Sequence, residues 1–339
     1  MFCLSIWSRF TTVALTLTCL SLGSSVFAQD GGGSLNRDVI GGALLIFHQP
    51  DNPPVGGGRL QGHRVAPNPK VAKEQNRIIA RANAARSAPT PRYSEAEEQY
   101  RQASRLDPTD ARSYAGLGNV YLDQSRYLDA IEQYHHAIKL KPDYTDALMP
   151  LGYALVRANR LPEAIETYKD TLKVDPGNPE VHNNLGYLFN HSGRYDDAVA
   201  ECLDAIRLLG QTGEAFKQGY QTRQEVLSHA YKNLGNAYNG LKNYEEAAKA
   251  LRKATEIEPN SAAAFFNLGV TLFSGQRYAE AIEAYKQVVK LKPSLAAAHF
   301  NLGLTYLAIN DKQSATAEYD ALKPLDAKAA EQLRTMIRQ

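Results

Sequence analysis

Cysteine is scarce in this chain: three in 339 residues, at Cys3, Cys19 and Cys202. The first two lie in an N-terminal segment that reads as removable, so Cys202 stands alone and no intramolecular disulfide is available. Cys202 falls at an apolar helical position, where a lone cysteine acts as a small buried hydrophobe. Tryptophan occurs once and methionine three times, against 19 tyrosines and 10 phenylalanines. Neither charge prevails: 38 Lys+Arg face 36 Asp+Glu, a net +2. That balance excludes the basic excess expected of a nucleic-acid or membrane-surface binder. Catalytic signatures are missing too. No cysteine pair, HExxH or GxSxG stands in a suitable context, and the glycine runs have no strand ahead of them and no helix behind. His135 and His136 are adjacent on one helix and point apart; Glu97-Glu98 and Glu245-Glu246 sit on solvated helix faces. An enzyme is therefore not expected, nor is a cofactor or a metal.

What is present divides into three regions. Residues 1–28 hold one charge, Arg9, an apolar stretch from Val13 to Leu22, and Val26-Phe27-Ala28. Small residues at −3 and −1 suit a signal peptidase, so cleavage is placed after Ala28 and the mature protein is expected in the periplasm or outside the cell. The competing reading, an uncleaved anchor, meets an apolar run shorter than the ~20 residues a span needs. Lipidation at Cys19 is disfavoured by the Leu17-Thr18 that precedes it. Residues 29–70 contain nine glycines and five prolines and read as a flexible tether. Within it lies one apolar run, VIGGALLIF at 39–47, which reads as a docking segment, a short strand or noise.

From residue 71 to 329 the chain repeats itself. Alanine recurs at 96, 130, 164, 198, 247, 281 and 315, in steps of 34 except for one step of 49. Twelve residues before each alanine stands Gly118, Gly152, Gly186, Gly235, Gly269 or Gly303, with Ala84 in the first unit. Twelve after it stands Pro108, Pro142, Pro176, Pro259 or Pro293, with Gly210 and Ala327 in the other two. A fixed period of this length decides the architecture before any local reading. Tyr114, Leu117, Gly118 and Tyr121 share one face of a first helix, and Tyr127, Ala130, Ile131, Tyr134, Ala137 and Ile138 the facing side of a second. Lys141-Pro142 ends the pair. Glycine in a helix interior costs about 1 kcal/mol against alanine. Gly235 is therefore read as a point of close contact between paired helices.

The sequence of aromatic, Leu-Gly, aromatic, then Tyr, Ala, Tyr, Ala and Pro resembles the tetratricopeptide repeat family. The resemblance covers seven units, near 77–110, 111–144, 145–178, 179–210, 228–261, 262–295 and 296–329. It implies an all-α, right-handed superhelical solenoid of about seven helical hairpins. Residues 326–339 fit the capping helix, with Leu333, Met336 and Ile337 covering the last hairpin. The extra residues at 211–227 are expected to lengthen the helices there or to protrude as a loop, with Tyr220 and Phe216 available to pack back.

The family's concave surface, lined by the first helix of each hairpin, implies binding of an extended peptide or a partner helix. Numbering each unit so that its glycine is position 8, the inward positions are chiefly 2, 5, 6, 9, 12 and 13. Position 6 holds Asn184, Asn233, Asn267 and Asn301, with Gly116 and Pro150 earlier. An amide there can donate to and accept from a peptide backbone. The row resembles the asparagine ladder of sugar-transferase members of the family, although no transferase domain is present. The competing reading is that Asn-Leu-Gly is simply common in such repeats. Lys232, Asn236 and Asn267 also resemble three of the five residues of a carboxylate clamp; the remaining places hold Ala297 and Asn301. Phe266 and Phe300 at position 5, with Val270, Leu304, Phe273 and Leu307, make the C-terminal part of the groove apolar. Arg112, Asp146, Glu180, Arg157 and His191 make the N-terminal part polar. Phe266 and Phe300 are expected to form an exposed aromatic wall beside the amides. His182 and His299, at position 4, read as structural. The sequence thus points to a non-enzymatic adaptor with a protein or peptide partner. Its alternative is a self-assembling structural protein of the cell envelope, and a homo-oligomer is compatible with either.

Overall fold

The computed structural model describes residues 69–211, 217–218 and 221–339. The expected signal segment, the 39–47 run, Phe216 and Tyr220 lie outside the described residues. Those that are described fall into two compact units, residues 69–177 and residues 178–339.

The first unit is three helical hairpins in succession: α1 (Pro69–Arg86) with α2 (Tyr93–Leu106), α3 (Ala111–Asp123) with α4 (Tyr127–Leu140), and α5 (Thr145–Arg157) with α6 (Leu161–Val174). Its core is built from one recurrent contact. A Cβ added to Gly118 would stand 2.6 Å from the Tyr134 ring, and one on Gly152 would stand 2.5 Å from Tyr168. Glycine is what lets these rings lie against the neighbouring helix; each large side chain buried this way stabilises by roughly 1.5–3 kcal/mol. Tyr100, Tyr134 and Tyr168 are fully buried, and the Tyr134 hydroxyl donates to Asn119 Oδ1 at 2.8 Å. Successive hairpins are tied by polar contacts as well. Gln75 Nε2 donates to Ser113 Oγ at 2.9 Å, and Arg86 Nε to Asp123 at 2.6 Å.

The second unit continues with α7 (Pro179–His191) and α8 (Tyr195–Gln211), then a short antiparallel pair, β1 (Lys217–Gln218) and β2 (Gln221–Thr222). There follow α9 (Arg223–Gly240) with α10 (Tyr244–Ile257), α11 (Ala262–Ser274) with α12 (Tyr278–Leu291), α13 (Ala296–Ala308) with α14 (Lys312–Leu322), and finally α15 (Ala327–Arg338). The helices on either side of the insertion are long. Helices α8 and α9 run to 17 and 18 residues, against 13 for α11 and α13, and the two-stranded turn lies between them. A capping box at Thr222 and Glu225 starts α9, and Arg223 Nε donates to Leu209 O at 2.8 Å, closing the joint. The glycine contact persists with different partners: Gly186 faces Cys202, Gly235 faces Leu251 and Gly269 faces Tyr285. At Gly303 the facing side chain is Leu333 of α15, itself fully buried.

In six of the seven hairpins the turn is the same, and no residue pattern in the sequence announces it. Ser125, Asn159, Lys242, Gln276 and Asn310 all have φ near +60°, and Gly193 holds the equivalent place. The next residue's N–H closes back over the helix end, as in Arg126 N to Tyr121 O at 2.8 Å and Arg277 N to Leu272 O at 2.8 Å. The backbone bond, not the side chain, demands the left-handed residue.

A candidate peptide-binding face on the second unit

The leading helices α7, α9, α11 and α13 present the asparagine row, and the structure gives each amide a different environment. Asn233 Nδ2 donates to Asn183 Oδ1 at 2.9 Å, and Asn190 Nδ2 donates to the Asn233 carbonyl at 2.8 Å. Asn233 thus has a part in the fold: its amide joins α7 to α9 across 50 residues of sequence. Asn267 Nδ2 donates to Asn236 Oδ1 at 3.1 Å, joining α9 to α11. Asn236 is exposed and Asn267 half-buried. That bond uses one donor and one acceptor, and leaves the Asn236 donor and the Asn267 acceptor for a ligand. Asn184 is half-buried on α7. Asn301 is fully buried, and neither of its amide atoms has a hydrogen-bond partner.

The structure also gives the surroundings of Lys232, of the partial clamp and of the two phenylalanines expected to be exposed. The Lys232 side chain is only 12% exposed, with Nζ 3.9 Å from Glu258 Oε2, so its charge already has a counterpart. Asn236 and Asn267 bind each other, so the three residues are not assembled as an open carboxylate clamp. Phe266 and Phe300 do not form an exposed wall: they are 2% and 0% exposed, in one buried cluster with Val270, Leu304 and Tyr285. Phe266 meets the Tyr285 ring edge-on at 5.8 Å. Large apolar side chains gather out of water, and aromatic rings add an edge-to-face preference.

The polar residues expected along the first unit are engaged locally. Arg112 Nη2 lies 2.6 Å from Asp110, and Arg157 donates to the Tyr153 hydroxyl at 2.9 Å. Burial, with Asp146 beside it, pushes the Tyr144 phenol up to about 12. On the second unit, His191 lies against the Tyr187 ring at 4.3 Å, and burial lowers its pKa.

The structure also shows a pairing that residue-by-residue reading of the sequence misses. His182 Nδ1 lies 2.7 Å from Glu201, and His299 Nδ1 lies 2.7 Å from Glu318. In both hairpins the glutamate follows its histidine by 19 residues, a periodic signal available from the sequence alone. Cys202 is buried opposite Gly186, and burial raises its thiol pKa far above the usual range, which keeps the reactive thiolate unpopulated. Among the described residues no cluster of three or more His, Cys, Asp or Glu side chains is placed to hold a metal ion. Nor is any described helix long and apolar enough to cross a membrane.

Comparison with known sequences sets these hairpins in a wider group. The pattern described as "TPR repeat" matches residues 92–125, 118–158, 235–275 and 271–310, and "Tetratricopeptide repeat" matches residues 149–211. The chain belongs to the tetratricopeptide repeat family. No curated protein sequence matches it. Among solved structures, Pseudomonas aeruginosa pilF is 20% identical over 68% of this chain and 98% of its own, with a TM-score of 0.54. A tetratricopeptide repeat protein from Parabacteroides merdae is 14% identical, covering 79% and 100%, with a TM-score of 0.55. The C-terminal part of a TPR repeat-containing protein from Cytophaga hutchinsonii is 17% identical, covering 77% and 98%, with a TM-score of 0.56. At such identities the likeness speaks to the fold. As a tetratricopeptide repeat protein, the chain has the architecture of a protein-interaction scaffold.

Proposed function

We propose that this tetratricopeptide repeat protein is a non-enzymatic adaptor that holds an extended peptide, or a partner helix, along the amide-bearing face of α7, α9 and α11. The observation that carries this reading is the Asn236–Asn267 pair. Bonded to each other at 3.1 Å, the two amides still hold the Asn236 NH2 group and the Asn267 carbonyl, a donor group and an acceptor that a peptide group can complement. Such recognition holds a backbone without reading its side chains, which suits a scaffold. Asn184 and Asn233 extend the row on α7 and α9. The N-terminal segment supports export, so the partner would belong to the cell envelope or its exterior.

Site-specific photo-crosslinking tests the face. A photo-reactive residue in place of Asn236 should capture a protein partner in cells, whereas one in place of Lys253, exposed on α10, should not. Capture at both positions alike, or at neither, would show that this face is not the binding surface. Sequencing the mature N-terminus tests export separately: a start at Gln29 is expected, and an intact Met1 would end that part of the reading.

A further inference from the structure

Arg157, at the end of α5 in the first unit, is an exposed cation with an unusual setting. Other arginines of that unit meet carboxylates: Arg86 meets Asp123, Arg112 meets Asp110 and Arg160 meets Glu163. Among the described residues no Asp or Glu pairs with Arg157. Its guanidinium is nonetheless held in place. Nη1 donates to the Tyr153 hydroxyl at 2.9 Å, and the group lies 4.9 Å from the Tyr127 ring centroid and 5.9 Å from that of Tyr153. Tyr153 and Arg157 are four apart and so share a face of α5, while Tyr127 opens α4. Aromatic rings take the flat face of a guanidinium and leave its edge. Of its five N–H donors one is spent on Tyr153, and the Nε–Nη2 edge is free among the described residues. A carboxylate meets such an edge with two parallel hydrogen bonds.

Nothing nearby in the first unit fills that edge. Asp123, which holds on α3 the place that Arg157 holds on α5, is bound by Arg86 at 2.6 Å. Asp146 stands eleven residues back along α5, about 16 Å, and interacts with Tyr144. The last carbonyls of α5 are closed by the turn that follows, as in Arg160 N to Leu155 O at 2.8 Å. An uncompensated charge whose donors are already ordered loses little freedom when an anion arrives. A phosphate, with nearly two negative charges, would call for a second cation; one carboxylate matches the one guanidinium.

We propose that Arg157 is the anchor for an aspartate or glutamate side chain of a protein partner, taken bidentately on the Nε–Nη2 edge. The methylene groups of that acid lie on the half-buried Tyr153 ring, an apolar contact that a main-chain terminal carboxylate does not bring. This goes beyond the amide face, because it lies in the other unit and sets a requirement on the partner's sequence. It rests on the reading of the chain as an adaptor for a peptide or partner helix.

The test selects random peptides on the full-length chain, displayed with their C-termini fused to a carrier so that no terminal carboxylate takes part. Selected peptides are expected to be rich in Asp or Glu. One of them, made with an amidated C-terminus, is then compared with a copy in which its acidic residue is replaced by the matching amide. That replacement should lower affinity about tenfold for the unaltered chain, the worth of a charged hydrogen-bonded pair, and less than about twofold for Arg157→Gln. Arg157→Lys keeps the charge without the fork and should recover only part of the loss. Arg105→Gln, on the trailing helix α2 and paired with Glu98, should leave affinity unchanged. Selected peptides with no excess of acid would overturn the proposal, as would an acid whose replacement matters equally to the unaltered chain and to Arg157→Gln. A lowered unfolding midpoint in Arg157→Gln with unchanged peptide affinity would also overturn it, showing that the stack only ties α4 to α5. Peptides released by Asn236→Ala and not by Arg157→Gln would overturn it and leave the adaptor reading standing; if no peptide is selected at all, both fall.

Discussion

At the scale of single residues, the glycines and one histidine carry the sharpest consequences. A Cβ on Gly235 would stand 2.5 Å from Leu251 Cγ, well inside contact distance and at a branch point that cannot swing aside. Gly235→Ala gains about 1 kcal/mol of helix propensity but forces the helices apart, which costs typically 1–3 kcal/mol. Net destabilisation in urea unfolding is expected, with a smaller loss when Leu251→Ala is present as well; a more stable Gly235→Ala would refute the contact. His299 is held from both sides. Its Nδ1 faces the Glu318 carboxylate at 2.7 Å and its Nε2 faces the Pro293 carbonyl at 2.9 Å. A carboxylate and a carbonyl both accept, so this setting favours the imidazolium, in which both nitrogens donate. The Glu318 bond is the main reason its pKa lies above the usual value, with burial opposing it. A group whose folded pKa is raised stabilises fully below its unfolded pKa, about 6.5, and loses that contribution as pH rises through the folded value. The midpoint of thermal unfolding should therefore fall as the pH rises above about 6.5, and His299→Gln should flatten that part of the profile. Equal slopes in the two proteins would show that the pair does not titrate as described.

At the scale of the element, six of the seven hairpin turns spend one left-handed residue, and only Gly193 meets that demand with glycine. An L-residue there costs of order 1 kcal/mol or more. Lys242→Gly and Gln276→Gly should therefore each stabilise by about 1 kcal/mol, and Gly193→Ala should destabilise by a similar amount. Denaturant midpoints read this directly, and opposite signs would mean that side-chain contacts outweigh the backbone. These turns were not legible in advance because Ser, Asn, Lys and Gln share no turn chemistry; a backbone hydrogen bond selects the conformation. The helices themselves were legible, since the alternation of large and small positions repeats every 34 residues and their contacts are local.

At the scale of the whole molecule, stability in a repeat array is a sum of neighbour contacts, and its end must be covered. In the second unit α15 is that cover. Leu333 is fully buried against Gly303, and Met336 and Ile337 pack on the same cluster. Leu333→Ala should cost about 2–5 kcal/mol. In hydrogen exchange the loss of protection should appear first in α13 and α14 and last in α7 and α8; a uniform loss would mean that residues 178–339 unfold as one block.

The sequence by itself determined the repeat, the pairing of helices into hairpins and the reason for each position-8 glycine. All of these rest on contacts within about one period of the chain, which a fixed spacing exposes. Which amides stay available was decided only in the tertiary structure. Asn183 meets Asn233 across 50 residues and Asn236 meets Asn267 across 31, and the first distance depends on how the insertion sets α9 against α7. Phe266 and Phe300 look identical to exposed groove residues in a list of positions, yet burial places them in a core. A one-dimensional period specifies which helices are neighbours; the partner of each side chain follows from the angle and rise between them, which only the packed structure contains.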